Sequence, residues 1–219
     1  MAPGDEGLKK PTVTPQPGGP LLYDNPLHPD SGVISDPDGE RIRCGRKAAL
    51  CRCGGSLEKP FCDGTHAKIG FSDANKADRS RDRRRSYEGK RITIHDNRCA
   101  CSHAKHCVQE LPRVFRTGEK PWIDPDAAEP EEIIRVIEKC PSGALSYSID
   151  GVEHRDLDRE PGITVSRHGP YCLVGGIEVR CEEPRPDRVS TEHATLCRCG
   201  ASANMPFCDG SHEGVDFED

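Results

Sequence analysis

Apolar and polar residues alternate along this chain only in brief stretches. Arg91-Ile92-Thr93-Ile94-His95 alternates as a short half-buried strand should, and Leu145-Ser146-Tyr147-Ser148-Ile149 does so again. Pro130 to Lys139, between them, predicts a helix. Proline suits the first position, Glu131 and Glu132 complement the positive helix start, and Ile133, Ile134 and Ile137 share a face. Lys139 favours the helix end and Pro141 prevents continuation. No apolar run exceeds four residues, Ala48 to Cys51 being one, so neither a transmembrane span nor a signal-peptide core is expected.

These sparse elements leave the fold short of apolar support. Leu, Ile, Val and Phe supply 39 of 219 residues, a low share for a self-supporting core. The 13 Cys and 9 His suggest another source of stability. An odd cysteine count without a secretory signal points to metal in a reducing, cytoplasmic setting rather than to a disulfide framework. A net charge of −6 argues against a dedicated nucleic-acid or anionic-membrane binder.

The cysteines are organised by an internal repeat. Leu50-Cys51-Arg52-Cys53-Gly54 returns as Leu196-Cys197-Arg198-Cys199-Gly200, and Pro60-Phe61-Cys62-Asp63-Gly64-Thr65-His66 as Pro206-Phe207-Cys208-Asp209-Gly210-Ser211-His212. From Ala49 and Thr195 onward, 12 of 18 aligned positions are identical without a gap. The boundaries are read as a flexible lead-in at 1–16, a first module at 17–76, a charged linker at 77–86, a central module at 87–150 and a second copy at 161–219.

Each copy spaces its donors as C-x-C-x8-C-x3-H: Cys51, Cys53, Cys62 and His66, then Cys197, Cys199, Cys208 and His212. Four such donors suit a zinc site or an iron–sulfur cluster. The C-x-C element weighs against zinc, whose structural sites usually use longer knuckles. Asp63-Gly64 predicts a turn around the metal. Ser56 and Ser202 are candidate hydrogen-bond donors to sulfur, and Arg52 and Arg198 candidate counter-charges to thiolate.

These residues resemble the CDGSH iron–sulfur, or NEET, family; the second copy spells its signature in full and the first has Thr65 in place of Ser. The resemblance implies a [2Fe–2S] cluster per copy, held by three Cys and one His in a small β-rich fold. Members of that family pair two such units as a homodimer; this chain could build an intrachain pseudo-twofold pair as a monomer, or itself form a homodimer. A neutral imidazole in place of a thiolate should raise the reduction potential, and protonation of the iron-bound nitrogen would offer a route for cluster release.

In the central module Cys101, Cys107 and Cys140-Pro141 follow a ferredoxin-like spacing, but Ala104 stands where a further Cys would be expected. Three thiolates would hold a [3Fe–4S] cluster, or a [4Fe–4S] cluster with another ligand, for which Cys99, His103 and His106 are candidates. Cys101-Ser102-His103-Ala104, Leu111-Pro112-Arg113-Val114-Phe115, Pro121-Trp122-Ile123 and Cys140-Pro141-Ser142-Gly143-Ala144-Leu145 resemble the divergent mono-cluster ferredoxin family. That resemblance implies a ferredoxin-like module, and the whole is expected to be α+β. Trp122 and Phe115 are read as core or as a shield for the cluster, and Cys44, Cys172 and Cys181 as small buried residues.

No carboxylate pair, Ser/His/Asp arrangement or phosphate loop suggests an enzyme. The expected role is electron transfer with redox partner proteins. The alternatives are a cluster donor to apo-acceptors or redox sensor, and a zinc-stabilised interaction module.

Overall fold

The computed structural model describes residues 10–28 and 33–219. Among them twelve strands follow in order: β1 (Thr12–Pro15), β2 (Leu21–Asp24), β3 (Ile34–Ser35), β4 (Lys47–Leu50), β5 (Arg85–Glu88), β6 (Thr93–Asp96), β7 (Leu145–Ile149), β8 (Val152–His154), β9 (Gly162–Val165), β10 (Tyr171–Val174), β11 (Glu178–Val179) and β12 (Ala194–Leu196). Three short helices, α1 (Thr65–Lys68), α2 (His106–Glu110) and α3 (Pro130–Ile137), complete a sheet-rich α+β fold. No helix among the described residues is long and apolar enough to cross a membrane.

Two of the sheets exchange strands. One runs β11-β1-β2-β4 and the other β12-β10-β9-β3, so each takes its outer parallel strand from the other half of the chain. Thr12 and Val13 face Glu178 and Val179, while Ile34 and Ser35 face Ile163 and Thr164. A single apolar cluster results, in which Val13, Leu21, Tyr23, Ile34 and Leu50 pack with Ile163, Val165, Tyr171, Leu173 and Leu196. The Tyr171 hydroxyl lies 2.8 Å from the Cys51 carbonyl and 2.9 Å from that of Pro60, tying the second half to the first.

The lead-in expected at 1–16 lies outside the described residues as far as residue 9, and the remainder departs from that expectation. Val13 is drawn fully into the core, and β1 forms around it because its prolines fall beside or at the end of the strand, where a ladder donor matters least.

The third sheet is antiparallel, β5-β6-β7-β8. The helix expected from Pro130 forms as α3, with Glu129 and Glu132 closing a capping box. Its buried stripe is Ile133, Val136 and Ile137, so Val136 takes the inward place expected of Ile134. The charged linker expected at 77–86 is also corrected. Arg85 and Ser86 belong to β5, and Asp82 accepts hydrogen bonds from the Asn97 side chain at 2.8 Å and the Asp187 amide at 3.0 Å. Arg79 pairs with Asp82 at 3.1 Å and Arg84 with Glu153 at 2.7 Å, so these charges anchor the chain.

His95 on β6 is buried, its Nδ1 2.9 Å from Ser86 Oγ and its Nε2 2.7 Å from Ser148 Oγ. Burial first, then the nearby Arg84 charge, hold its pKa down to about 4. A histidine kept neutral in the fold contributes stability that is lost as pH falls from about 6.5 towards that value. Urea midpoints at pH 7 and pH 5 are therefore expected to differ more in the native protein than in His95→Gln.

Candidate metal centres

The ends of β4 and β12 deliver the first two donors of each repeat. Leu50 and Leu196 are buried and fix the strand ends, from which Cys51 and Cys53, or Cys197 and Cys199, emerge. The Sγ atoms lie 3.8 Å apart in the first pair and 3.7 Å apart in the second. Cys62 Sγ is 3.3 Å from His66 Nδ1, and Cys208 Sγ 3.5 Å from His212 Nδ1. Two thiolates on one tetrahedral metal at about 2.3 Å stand about 3.8 Å apart, and a thiolate with an imidazole nitrogen stands about 3.6 Å apart. Each repeat thus offers two chelating pairs. Among the described residues no three donors converge on one ion, so the eight expected ligands assemble in twos.

Local turns hold these donors. Asp63 accepts from the amides of Leu57 and Thr65 at 2.9 Å, and Asp209 from those of Ala203 and Ser211 at 2.8 and 3.0 Å. Those amide bonds hold the Asp63 carboxyl well below the usual carboxylate range. Gly64 and Gly210 follow with φ of 86° and 89°, turning the chain so that His66 or His212 faces back to its Cys.

Two expected roles are corrected. Ser56 and Ser202 donate to the carbonyls of Phe61 and Phe207 at 2.7 Å, closing the Cys-bearing loops; backbone amides serve the sulfurs instead. The Gly210 amide donates to Cys208 Sγ at 3.4 Å and the Ala201 amide to Cys199 Sγ at 3.5 Å. Arg52 is buried but turns from the thiols to the carbonyls of Gln16 and Gly19, at 2.6 and 3.0 Å, and to Asp73 at 2.7 Å. Arg198 does the same with Ser166 and Gly169, both at 2.8 Å, and pairs with Asp219. Each guanidinium clamps a turn over the imidazole. A Cβ on Gly19 would lie 3.7 Å from His66 Nε2, and one on Gly169 3.9 Å from His212 Nε2. Sequence reasoning read these arginines for charge; their fork of donors suits a carbonyl clamp equally well.

The two copies differ in shelter. Cys51 and Cys197 are buried in both, but Cys208 is buried while Cys62 is half-buried. Burial pushes the Cys208 thiol up to about 12. The hydrogen bond from Cys197 holds Cys199 down to about 7. Binding a metal at Cys208 therefore displaces a firmly held proton.

Cys101, Cys107 and Cys140 line one small cavity, of about 30 Å³, in the central module. Burial, then the neighbouring cysteines, push the Cys107 thiol up to about 11. Ala104, His103 and His106 share the cavity wall, while the carbonyl of Cys99 accepts from Asn204 at 3.2 Å. The buried Ser102 hydroxyl, also on this wall, has no hydrogen-bond partner among the described residues. A buried polar group beside three half-buried thiols fits a sulfur-rich anionic guest.

Trp122 does reach this wall, donating from Nε1 to Asp96 at 3.2 Å, and Arg98 stacks 4.9 Å over its ring. Burial pushes the Asp96 carboxyl up to about 6. Asp96 and Arg98 were not anticipated; nearness to Cys101 in sequence was their only signal. No disulfide joins cysteines among the described residues. Cys44 and Cys181 pack against the shared core, and Cys172 meets Ser166 Oγ at 3.2 Å.

Comparison with known proteins agrees with these groupings. Residues 19–67 and 168–213 match the family described as iron-binding zinc finger CDGSH type, and residues 87–150 the divergent 4Fe-4S mono-cluster family. The chain is 40% identical over 63 residues to the "Uncharacterized protein YjdI" of Escherichia coli strain K12, and equally to that of E. coli O157:H7. Each match covers 29% of this chain and 83% of the relative. No solved structure matches.

Proposed function

We propose, for a chain that belongs to the CDGSH iron-binding family and carries a divergent 4Fe-4S mono-cluster segment between its two CDGSH segments, that it is an electron carrier with three iron–sulfur centres. The observation that carries this reading is the pairing of donors at chelate distances in both repeats. Cys51, Cys53, Cys62 and His66 would hold one [2Fe–2S] cluster, and Cys197, Cys199, Cys208 and His212 another. Cys101, Cys107 and Cys140 would hold a [4Fe–4S] or [3Fe–4S] cluster. Such clusters supply one-electron chemistry at potentials set by ligation, hydrogen bonding and burial.

The chain's own residues do the tuning. Arg52 and Arg198 fix the turns above the imidazoles, backbone amides donate to the thiolates, and Asp63 and Asp209 orient the histidine turns. The reciprocal exchange of β3 and β11 supports an intrachain pseudo-twofold pair of CDGSH units, complete in a monomer. Residues 87–150 would form a ferredoxin-like module beside it. The partners would be cytoplasmic redox proteins. A donor role towards apo-acceptors is favoured only at the first copy, where Cys62 is less sheltered.

Anaerobic purification followed by visible spectroscopy and iron and sulfide analysis tests the reading. A brown protein with about seven to eight irons per chain and matching sulfide is expected. A colourless protein holding two or three zincs overturns it.

A further inference from the structure

The three donor sets touch one another unequally. The first and second repeats meet directly, because Cys53 and Cys199 face each other in an antiparallel bridge. The approach is so close that a Cβ on Gly54 would lie 2.4 Å from the Cys199 carbonyl oxygen, and one on Gly200 2.5 Å from that of Cys53. Only glycine fits either place.

The central set meets the second repeat by a different route. His103 stands two residues after Cys101 and takes an uncommon φ of 58°. Its ring presses on Gly210, the residue midway between Cys208 and His212; a Cβ there would lie 2.8 Å from His103 Cδ2. Lys105 pairs with Glu213 at 2.8 Å, one residue past His212. Val189 joins Ala100 and Ala144 in an apolar cluster against which Cys101 and Cys140 pack, and the Ser190 amide donates to the Gly143 carbonyl at 3.3 Å. Every one of these contacts lies in the second half of the chain.

We infer that the second CDGSH site is the middle member of a three-site relay, exchanging electrons with the central site on one side and with the first CDGSH site on the other. The order rests on the iron–sulfur reading above. In each transfer one electron leaves one site and one arrives at the next; no bond is made or broken. The second repeat is suited to the middle because its ligand loop is the one covered on both sides.

Electron paramagnetic resonance of the intact, anaerobically reduced protein tests the order, since magnetic coupling falls with the cube of separation. His66→Cys and His212→Cys identify the two CDGSH signals by altering or deleting one at a time. As the central signal grows under photoreduction, the second copy's signal is expected to broaden or split while the first copy's keeps its linewidth. Broadening of the first copy's signal instead, or of neither, overturns the order. Carbodiimide cross-linking of the unmodified protein gives a second measure that needs no reduction. It is expected to join Lys105 to Glu213, and a cross-link from Lys105 to Glu58 or Asp63 overturns the junction. A colourless protein would defeat the function proposed above, whereas a brown one with the wrong coupling defeats only this order.

Discussion

Anaerobic removal of iron with a strong chelator is expected to abolish the cooperative melting of this protein. Metal binding at a tight structural site supplies on the order of ten kcal/mol, comparable with the whole net stability of an ordinary domain, about 5–15 kcal/mol. The segments at risk have little else to hold them. Residues 51–66 and 197–212 consist of turns, isolated bridges from Leu50 to Phe61, Leu196 to Phe207 and Cys53 to Cys199, and single helical turns at Thr65–Lys68 and Ser211–Glu213. Without metal, the central cavity leaves three half-buried cysteines and the buried Ser102 hydroxyl around unfilled space. The apolar cluster cannot localise the damage, because it draws side chains from both halves through the exchanged strands. Circular dichroism before and after chelation checks this, and a native-like spectrum with a sharp transition in the iron-free protein would sink it.

The pairing of these side chains was legible because the spacing is local: the C-x-C-x8-C-x3-H pattern lies within 16 residues, and the structure sets Cys51 by Cys53 and Cys62 by His66, with the same pairs in the second copy. The α3 helix and β7 were legible for a similar reason, since capping signals and alternation act over a few residues. The strand exchange was not. β3 and β11 hold two residues each and carry no period, and their partners lie far away in sequence, Ile34 on Ile163 and Thr12 on Glu178. Arg52 and Arg198 misled for another reason. An arginine beside thiolates suggests charge compensation, yet a buried guanidinium must satisfy several donors, and the carbonyls of the Gln16–Gly19 and Ser166–Gly169 turns do that better. Asp82 shows the same limit, because a charge run reads as solvated until the fold supplies Asn97 and Asp187 as partners.

Replacing either ligand histidine by cysteine is expected to lower that centre's reduction potential, by on the order of 100 mV, and His212→Cys by more than His66→Cys. The direction follows from charge. Thiolate for neutral imidazole adds one negative charge beside the iron, which disfavours the incoming electron. The order follows from shelter, because an added charge is less screened where water is excluded. Cys208, the partner of His212, is 4% exposed, whereas Cys62, the partner of His66, is half-buried. The same difference sets the native centres apart. Adding an electron to the more enclosed second copy is costlier, so the first copy is expected to be reduced at the higher potential. Electrons entering at the central site would then pass through the second copy and come to rest on the first, the copy whose ligands are better exposed to a partner. Redox titration of the native protein and the two variants, followed by visible absorption and paramagnetic resonance, measures all four quantities. Equal native potentials, or a larger shift in His66→Cys, would show that shelter does not govern this pair.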